Sequence, residues 1–460
     1  MSTVQNYLNP RTCPTQQPTR EEMDPTTKTL HDAIDEQIRQ NRYPYLHPEG
    51  QSVQLDLLNS AIIIAWQESK SQAVFLAEQC WSELPQIYGR YGTESTRELL
   101  QTIKTLENAR AVCLTDSGMQ ACALLFDILV TEPCHVIIMR QIYNKSKKYL
   151  ERLCEITRSM LSIVDDGDFH QLEQSLKSNT RLIFAETFTN PLMRALDPER
   201  IANLVNAARV KNPSLRLVID NTIATPWATN QPLLNYSGID FVVASGTKAL
   251  SGNDRDMWGY VAANRIDPMN ALMDLQAMRG GILDWRRAQA ISTTFPAAKS
   301  QFLGRCEHAS QIAKFLSSHP HIEEVFHPSL SGHRDNLIIK KYYQQPGSLL
   351  SFRIKAATDE ETRHFCDVLA STEIIRYALS FDGLTTKVNH HRIVSEYFTP
   401  EPELKRAGID NLVRLAVGVE HPDDIVACLN WALYHFRSMS PAKINAWVEQ
   451  RQTNLHIDRK

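Results

Sequence analysis

Two short segments of the sequence decide its fold: Leu215-Arg-Leu-Val-Ile-Asp220 and Phe241-Val-Val-Ala-Ser245-Gly-Thr-Lys248. Each begins with an apolar run of the length of a buried strand and ends in a residue that can carry charge. Similar runs at 135–139 and 181–185 precede them, and helical stretches separate most of these runs. The alternation predicts a mostly parallel sheet covered by helices on both faces. Ligands of such sheets bind beyond the carboxyl ends of the strands, where Asp220 and Lys248 are expected to lie.

The patterns along the chain divide it into three parts. Residues 1–85 begin with a polar, proline-containing arm and continue with a helical apolar period, so we expect an N-terminal arm and a helical extension. Residues 86–300 are expected to form the large α/β domain, and residues 301–460 a smaller C-terminal α/β domain. The elements expected in the smaller domain are helices at 305–317, 359–370 and 422–436 and strands at 348–354, 374–379 and 412–417.

The composition is that of a folded soluble protein. Of 460 residues, 43% are hydrophobic and 22% are charged, and the formal net charge is -3, so neither nucleic acid nor a membrane is indicated as the main partner. Nine cysteines are present without a CxxC pair, which indicates neither a disulfide framework nor a metal site. The polar N-terminal residues lack the apolar core of a secretory signal. We therefore expect a cytoplasmic protein.

Asp220 and Lys248 are the first candidate site residues. A carboxylate at the end of a buried strand needs a cation, so Asp220 is either paired within the protein or directed at a ligand. Lys248 follows Ser245, Gly246 and Thr247, and it is either a solvated loop lysine or a residue that forms a Schiff base beside a phosphate site. A carboxylate on one strand end and a lysine on the next could hold the two ends of a pyridoxal ring.

Two helix starts are indicated upstream of these residues. Ser95 and Glu98 have the spacing of a capping box, which predicts a helix that begins after Ser95. Thr115-Asp-Ser117-Gly118-Met119 precedes the helical run 120–130, so free backbone N–H groups and the helix dipole would face an anion there. The alternative is a plain helix cap, since serine and glycine are common at that position.

Arg414 lies within the apolar run 412–417. If its side chain is buried, the guanidinium needs an anionic partner, and its planar fork suits a carboxylate. The alternative is an arginine on the exposed face of an alternating strand.

Together these stretches resemble the cystathionine gamma-synthase/gamma-lyase family of pyridoxal-phosphate (PLP) enzymes, also called the Cys/Met metabolism family, over about residues 86–436. The resemblance implies the aspartate aminotransferase-like fold of PLP-dependent transferases, fold type I. The matching stretches are Tyr88-Gly-Arg90-Tyr-Gly92, Ser117-Gly-Met119, Glu186-Thr-Phe-Thr-Asn190-Pro191, Asp220-Asn-Thr-Ile-Ala-Thr225-Pro226, Ser245-Gly-Thr-Lys248 and Leu412-Val-Arg414-Leu-Ala-Val-Gly418.

The resemblance also implies roles for single residues. Lys248 would bind the cofactor covalently and carry protons, while Asp220 would pair with the pyridine nitrogen so that the ring acts as an electron sink. Tyr143 would stack on the ring, and Asn190 would lie near the ring hydroxyl. The phosphate would be held by Ser117, Gly118, Met119, Ser245 and Thr247 of the same chain and by Tyr88 and Arg90 of a neighbouring subunit. Arg414 would bind the substrate carboxylate, with Ser380 close by.

The sequence departs from the family pattern at three places near the expected site. Tyr143 is followed by Asn144 and Lys145 where the family has two glycines, the segment 252–256 contains an apparent insertion, and Asp382 replaces another glycine. Glycine is scarce in the whole chain, with 17 residues in 460. These departures predict a reshaped, more polar substrate pocket.

The reaction implied by the resemblance is gamma-elimination or gamma-replacement on an L-amino acid that carries a leaving group on its side chain. The substrate would be a sulfur amino acid, an O-acyl homoserine or a specialised gamma-substituted compound, including a gamma-halo amino acid that gives an alkyne product. One alternative is a beta-lyase acting on cystathionine or cysteine, and another is a non-catalytic regulatory member that keeps the cofactor. The assembly implied is a homotetramer, a dimer of dimers with shared active sites.

Overall fold

Seven strands form the large sheet of the protein: β1 (Ala111–Thr115), β2 (His135–Met139), β3 (Met160–Val164), β4 (Thr180–Glu186), β5 (Arg216–Asp220), β6 (Phe241–Ser245) and β7 (Gly259–Ala263). A computed structural model describes residues 89–372 and 374–454. The arm and helical extension expected over 1–85, and Tyr88, lie outside the described residues.

The order of the strands is β1-β7-β6-β5-β4-β2-β3. Strands β2 to β6 run parallel to their neighbours in this set, whereas β7 pairs antiparallel with both β6 and β1. Strands β2 and β7 are buried at every residue, so both faces of the sheet are covered. The prediction of a mostly parallel, covered sheet is confirmed.

Helices connect and cover these strands. They are α1 (Glu94–Glu107), α2 (Gly118–Leu129), α3 (Asn144–Thr157), α4 (Phe169–Ser175), α5 (Pro198–Arg209), α6 (Thr225–Ala228), α7 (Ile266–Arg279) and α8 (Trp285–Ser317), with 3₁₀ turns at Gly89–Tyr91 and Leu233–Asn235.

The start of α1 differs from the prediction. Thr93 is the N-cap, and its backbone N–H donates to Thr96 Oγ1 at 2.7 Å while its hydroxyl accepts the Thr96 backbone N–H at 3.4 Å. Ser95 is a buried residue inside the helix and does not cap it. Thr93 and Thr96 make the reciprocal capping contacts that the spacing predicted for Ser95 and Glu98. The capping pair thus lies two residues earlier in the chain than predicted.

A second sheet of five strands follows, in the order β10-β11-β12-β9-β8. Its strands are β8 (Ile322–Phe326), β9 (Leu349–Ile354), β10 (Arg376–Tyr377), β11 (Lys387–His390) and β12 (Val413–Ala416), and they pair antiparallel except for β10 with β11. The helices of this part are α9 (Asn336–Tyr342), α10 (Asp359–Ala370), α11 (His391–Ser395), α12 (Glu401–Ala407), α13 (Pro422–His435) and α14 (Pro441–Asn454), with a 3₁₀ turn at Phe436–Ser438. The smaller α/β unit is therefore present as predicted.

Helix α8 joins the two hydrophobic cores. Its first half, which includes Ile291 and Phe302, packs into the core of the large sheet, and its last turns, which include Ile312 and Leu316, pack into the core of the small sheet. The helix expected at 305–317 thus begins at Trp285 and continues through Pro296. The proposed domain division at residue 300 falls within this helix and stays a prediction.

Candidate active site

Two carboxylates lie side by side at the carboxyl edge of the large sheet. Asp220 at the end of β5 is the register partner of Glu186 at the end of β4, so the two side chains point to the same face. Within the described part of the chain, neither carboxylate has a lysine, arginine or histidine within 4 Å. Two buried carboxyl groups therefore lie at this edge of the sheet without a cationic side chain of the described residues beside them.

The surroundings of this pair favour its protonated form. Burial, together with the neighbouring Asp220, raises the pKa of Glu186 well above its ordinary value. Burial also raises the pKa of Asp220, although hydrogen bonds from Thr222 oppose the shift; one of them joins the Thr222 backbone N–H to Asp220 Oδ1 at 2.8 Å. A protonated pyridine nitrogen is the kind of cation that would ionise Asp220 and pair with it.

Glu186 also fixes the position of Tyr143. The backbone N–H of Tyr143 donates to Glu186 Oε1 at 2.5 Å, at the position where helix α3 begins without a side-chain cap of its own. Glu186 is not among the predicted site residues, although it opens a motif stretch and ends a strand. Its place beside Asp220 on the neighbouring strand was the signal that could have identified it.

Lys248 lies in the loop after β6 and reaches toward the second sheet. Its Nζ donates to Ser380 Oγ at 2.5 Å and lies 4.8 Å from the centre of the Phe381 ring. Burial lowers the pKa of the Lys248 amine. The preceding Thr247 is held by the Trp258 backbone, since its Oγ1 donates to the Trp258 carbonyl and accepts the Trp258 N–H. The structure thus brings together Lys248 and Ser380 from sequence positions far apart, whereas the resemblance placed Ser380 beside Arg414.

The expected phosphate cradle lies between the start of α2 and the end of β6. Ser117 is the N-cap of α2, and its Oγ accepts the Gln120 backbone N–H at 3.2 Å. A Cβ added to Gly118 would lie 2.6 Å from Ser245 Cβ, so only glycine permits this close approach of the two segments. Gly118 and Met119 open the helix, where backbone N–H groups lack helical partners and can bind an anion.

Arg414 is a buried side chain of β12, which decides between the two alternatives for this residue. Its guanidinium donates to Asn190 Oδ1 at 3.4 Å and to the Leu379 carbonyl at 2.9 Å. No carboxylate of the described residues lies within 4 Å of it. Burial lowers the pKa of the guanidinium, while Tyr143 and Asp382 oppose the shift. A buried guanidinium with neutral partners alone is suited to bind the carboxylate of a ligand.

The ring of Phe381 joins this guanidinium to the lysine. The Arg414 Cζ lies 5.7 Å from the ring centre, and Lys248 Nζ lies 4.8 Å from the same centre. The Lys248 amine and the Arg414 guanidinium therefore both lie against one aromatic ring.

Tyr88 and Arg90 are predicted to act from a neighbouring subunit. Arg90 lies on the 3₁₀ turn Gly89–Tyr91 and is exposed in the single chain. Tyr88 lies outside the described residues. Their predicted roles concern a second chain and stay predictions.

Residues at the three departures from the family pattern make polar contacts, most of them between the large and the small α/β unit. Asn144 Nδ2 donates to Glu396 Oε2 at 3.1 Å, and Lys145 Nζ donates to the Tyr397 hydroxyl at 3.4 Å. The other two departures meet at Lys387, whose Nζ donates to both carboxylate oxygens of Asp254 at 2.9 Å and to the Asp382 carbonyl. Polar contacts thus replace glycines around Tyr143 and Lys248.

The arrangement fits pyridoxal phosphate. Lys248 would bind the aldehyde, Asp220 the ring nitrogen and Tyr143 the ring face, and the cradle would hold the phosphate. The Asp220 carboxyl group, which has no cationic side chain of the described residues beside it, matches the cationic ring nitrogen, and the close approach of Gly118 to Ser245 leaves backbone donors accessible. No group of three or more metal-ligating side chains occurs among residues 89–372 and 374–454. In the same part of the chain, every helix is too short or too polar to cross a membrane.

Comparison with known proteins agrees with this geometry. Residues 67–434 match the family model described as Cys/Met metabolism PLP-dependent enzyme. The chain is 29% identical over 352 residues to the L-methionine gamma-lyase of Fusobacterium nucleatum subsp. polymorphum, covering 75% of this chain and 86% of that protein. It is 30% identical over 348 residues to the chloroplastic cystathionine gamma-synthase 1 of Arabidopsis thaliana, covering 75% of this chain and 60% of that protein.

A solved structure shows the same fold. The crystal structure of cystathionine gamma-lyase from Lactobacillus plantarum, complexed with L-serine, superposes with a TM-score of 0.70 at 25% sequence identity. The superposition covers 76% of this chain and 88% of that chain.

Proposed function

The chain belongs to the Cys/Met metabolism family of PLP-dependent enzymes, and from this premise we propose that it catalyses gamma-elimination or gamma-replacement on an L-amino acid with a leaving group on its side chain. Its cofactor is pyridoxal phosphate. One observation carries the proposal: the Lys248 amine and the Arg414 guanidinium both lie against the ring of Phe381. That placement suits a substrate with an alpha carboxylate next to the carbon that loses a proton.

The proton carriers can be assigned from their surroundings. When bound, the cofactor supplies an electron sink for the bonds at the substrate alpha carbon. Burial lowers the pKa of Lys248, which favours the free amine, so we assign to Lys248 the removal of the protons at the alpha and beta carbons. Burial raises the pKa of Tyr143, which keeps its phenol protonated, so we assign to Tyr143 the donation of a proton to the leaving group.

Sulfur amino acids and O-acyl homoserines are the first substrate classes to test, because the similar proteins carry the names methionine gamma-lyase and cystathionine gamma-synthase. A gamma-halo amino acid remains a specialised option. The polar residues at 144, 145, 254 and 382 support a substrate other than the most common ones, since they change the surroundings of Tyr143 and Lys248 and leave the predicted cofactor-binding residues in place.

Product analysis tests this proposal. The purified protein, loaded with cofactor, is incubated with methionine, cystathionine, O-acyl homoserines and gamma-halo amino acids, and the products are identified by mass spectrometry. We expect a keto acid, an unsaturated amino acid or a gamma-substituted product with at least one substrate. The matched control is the amine that lacks the alpha carboxylate, which should be turned over far more slowly because Arg414 has no ligand.

The same screen distinguishes the alternatives. Products formed only by beta-carbon cleavage of cystathionine or cysteine would support the beta-lyase instead. A visible absorbance band of the bound cofactor that does not change with any amino acid would support a non-catalytic regulatory member.

We further propose that the active enzyme is a homotetramer, a dimer of dimers in which Tyr88 and Arg90 of one subunit reach the phosphate of another. The cradle residues Ser117, Gly118, Met119, Ser245 and Thr247 are neutral, so a bound phosphate gains from an added cation. The cysteines of the described residues are free thiols, in agreement with the cytoplasmic location that we propose.

Mixed assemblies test the shared site. We expect chains with Arg90→Ala and chains with Lys248→Ala to be poorly active alone and to regain activity when they are refolded or coexpressed together. One site in a mixed dimer would then combine an intact Arg90 with an intact Lys248, giving up to about half of the normal rate per mixed dimer and about a quarter for a random mixture of equal amounts. Mixtures no more active than the separate variants would show that Arg90 acts within its own chain.

A further inference from the structure

The loop after Lys248 and the turn after Ser380 are joined by a buried lysine. Lys387 Nζ donates hydrogen bonds to both carboxylate oxygens of Asp254, each at 2.9 Å, and also to the Asp382 carbonyl. We call Asp254, Asp382 and Lys387 the charge bridge. It connects two segments that are separated by more than a hundred residues and that both depart from the family pattern.

The backbone at the charge bridge has an unusual conformation and close packing. Asp254 and Asp382 both have a φ of 60°, a left-handed conformation that costs free energy in residues other than glycine. Asp382 is buried, and its Oδ1 accepts a hydrogen bond from Ser348 Oγ at 2.5 Å. A Cβ added to the next residue, Gly383, would lie 2.0 Å from Asp254 Oδ2, so the Asp254 carboxylate packs directly on the turn.

A second buried cation, Arg305, contacts the turn that contains Asp382. Arg305 of α8 is fully buried, and its Nη1 donates to the Gly383 carbonyl at 3.2 Å. The same guanidinium lies against Gly252, where an added Cβ would be 3.0 Å from Nη1. Lys387 and Arg305 therefore both contact the turn at 380–383 and the loop at 252–254.

This turn carries the acceptor for Lys248. Ser380 Oγ accepts the hydrogen bond from Lys248 Nζ, and Ser380 lies two residues before Asp382. Burial lowers the pKa of the Lys248 amine; of the nearby charges, Asp382 and Asp254 raise this pKa, whereas Arg414 and Lys387 lower it. The other titratable or charged groups of the surrounding elements are Tyr143, Glu186, Asp220 and Arg305.

We propose that the charge bridge is a positioning set for Lys248: it holds the Ser380 hydroxyl in place and sets the proton affinity of the lysine amine through opposed charges. None of its three residues needs to touch the substrate. The inference rests on the proposed function in that Lys248 is taken as the proton carrier.

Opposite charge changes in the bridge provide the test. In the full chain stripped of cofactor, the pH dependence of Lys248 acetylation by acetic anhydride is followed by peptide mass spectrometry. Asp254→Asn removes a negative charge and should move the midpoint to lower pH, whereas Lys387→Met removes a positive charge and should move it to higher pH. We expect shifts of about half a pH unit, the order expected of partly screened charges.

Three further variants separate electrostatics from loss of structure. The double variant D254N/K387M removes both charges and should have a midpoint near that of the wild type, and K387R keeps the charge and should do the same. The matched control is Lys341→Met, which breaks the exposed Lys341–Glu199 pair of 2.8 Å and should not move the midpoint. In the holoenzyme, the pH at which the cofactor absorbance changes should move in the same directions.

The outcomes are distinct from those that test the function itself. Single variants that shift the midpoint in the same direction, or not at all, would overturn the proposal, because a purely structural role predicts no opposition of sign. A K387R midpoint that follows K387M would also overturn it. If the opposed shifts are found but Lys248→Ala keeps full activity, the positioning holds and the proposed catalytic role fails.

Discussion

Turnover is expected to fall by at least about 10³-fold when Lys248 is replaced by alanine, with the fold unchanged. Alanine has no amine to bind the cofactor covalently and none to take the alpha proton. The side chain makes one hydrogen bond, to Ser380, and lies in a loop at the edge of the sheet rather than in the core. The loss should therefore be catalytic and not one of stability.

Activity, cofactor absorbance and thermal unfolding of the same preparations check this result. The variant should bind the cofactor reversibly, lose the absorbance band of the covalently bound form and unfold within a few degrees of the wild type. Lys341→Ala, a change of the same size at an exposed ion pair, serves as the control and should retain activity. Substantial turnover by the Lys248 variant would contradict the assignment of this residue as proton carrier.

Four parallel strands of the large sheet could be predicted from their apolar runs, whereas the equally buried β1 and β7, which pair antiparallel, were not predicted. The runs at 135–139, 181–185, 215–219 and 241–244 agree with β2, β4, β5 and β6 to within one residue at most ends. Strands β3 and β8 gave no such signal because several of their residues are exposed or only partly buried. A parallel strand that is buried on both faces can be recognised in a sequence because it forms a continuous apolar run.

Strand β11 could not be predicted for a different reason. Its residues Lys387-Val-Asn-His390 are all buried although three of the four are polar. Their burial depends on partners distant in sequence, such as Asp254 for Lys387 and the Ala378 carbonyl, which accepts the hydrogen bond of Asn389 Nδ2 at 2.8 Å. The hydrophobic pattern of a sequence identifies only apolar residues that are buried. A strand whose buried residues are polar and hydrogen-bonded to other segments shows no such pattern.

The candidate site shows the same division. Asp220, Lys248 and Arg414 were identifiable singly, because each is a charged residue in or beside an apolar run. Their mutual contacts were not, since hydrogen bonds such as that between Lys248 and Ser380 depend on how the two sheets pack. The altered glycine positions predicted a more polar wall, but only the structure shows that two of the departures meet at Lys387.

Replacing Asp220 with asparagine is expected to lower turnover by about 10²- to 10³-fold, the loss typical of one preorganised electrostatic contact. Asparagine has nearly the same shape and can keep the hydrogen bond from the Thr222 backbone N–H, but it cannot hold a proton on the pyridine nitrogen. An unprotonated ring withdraws electrons poorly, so removal of the alpha proton should become slower. Alpha-proton exchange of a substrate in deuterated water, followed by NMR, measures this step directly.

The pH dependence of cofactor binding gives a second measurement for the same variant. Burial raises the pKa of Asp220 in the chain without cofactor, so its carboxylate is neutralised at a higher pH than an ordinary aspartate, whose pKa is about 4. Wild-type affinity for the cofactor should therefore weaken as the pH falls toward that raised value, because the neutral acid no longer pairs with the cationic nitrogen. The asparagine variant should bind less tightly at neutral pH and lack this dependence.

Glu186→Gln is the matched control for this change. Burial and the adjacent Asp220 raise the pKa of Glu186, which favours its neutral form, and glutamine should replace it as a neutral acceptor for the Tyr143 backbone N–H. We expect the glutamine variant to keep most of the proton-exchange rate, in contrast to the asparagine variant at 220. Equal losses in the two variants would mean that both carboxylates share the charge that faces the ring nitrogen, and that Asp220 does not hold it alone.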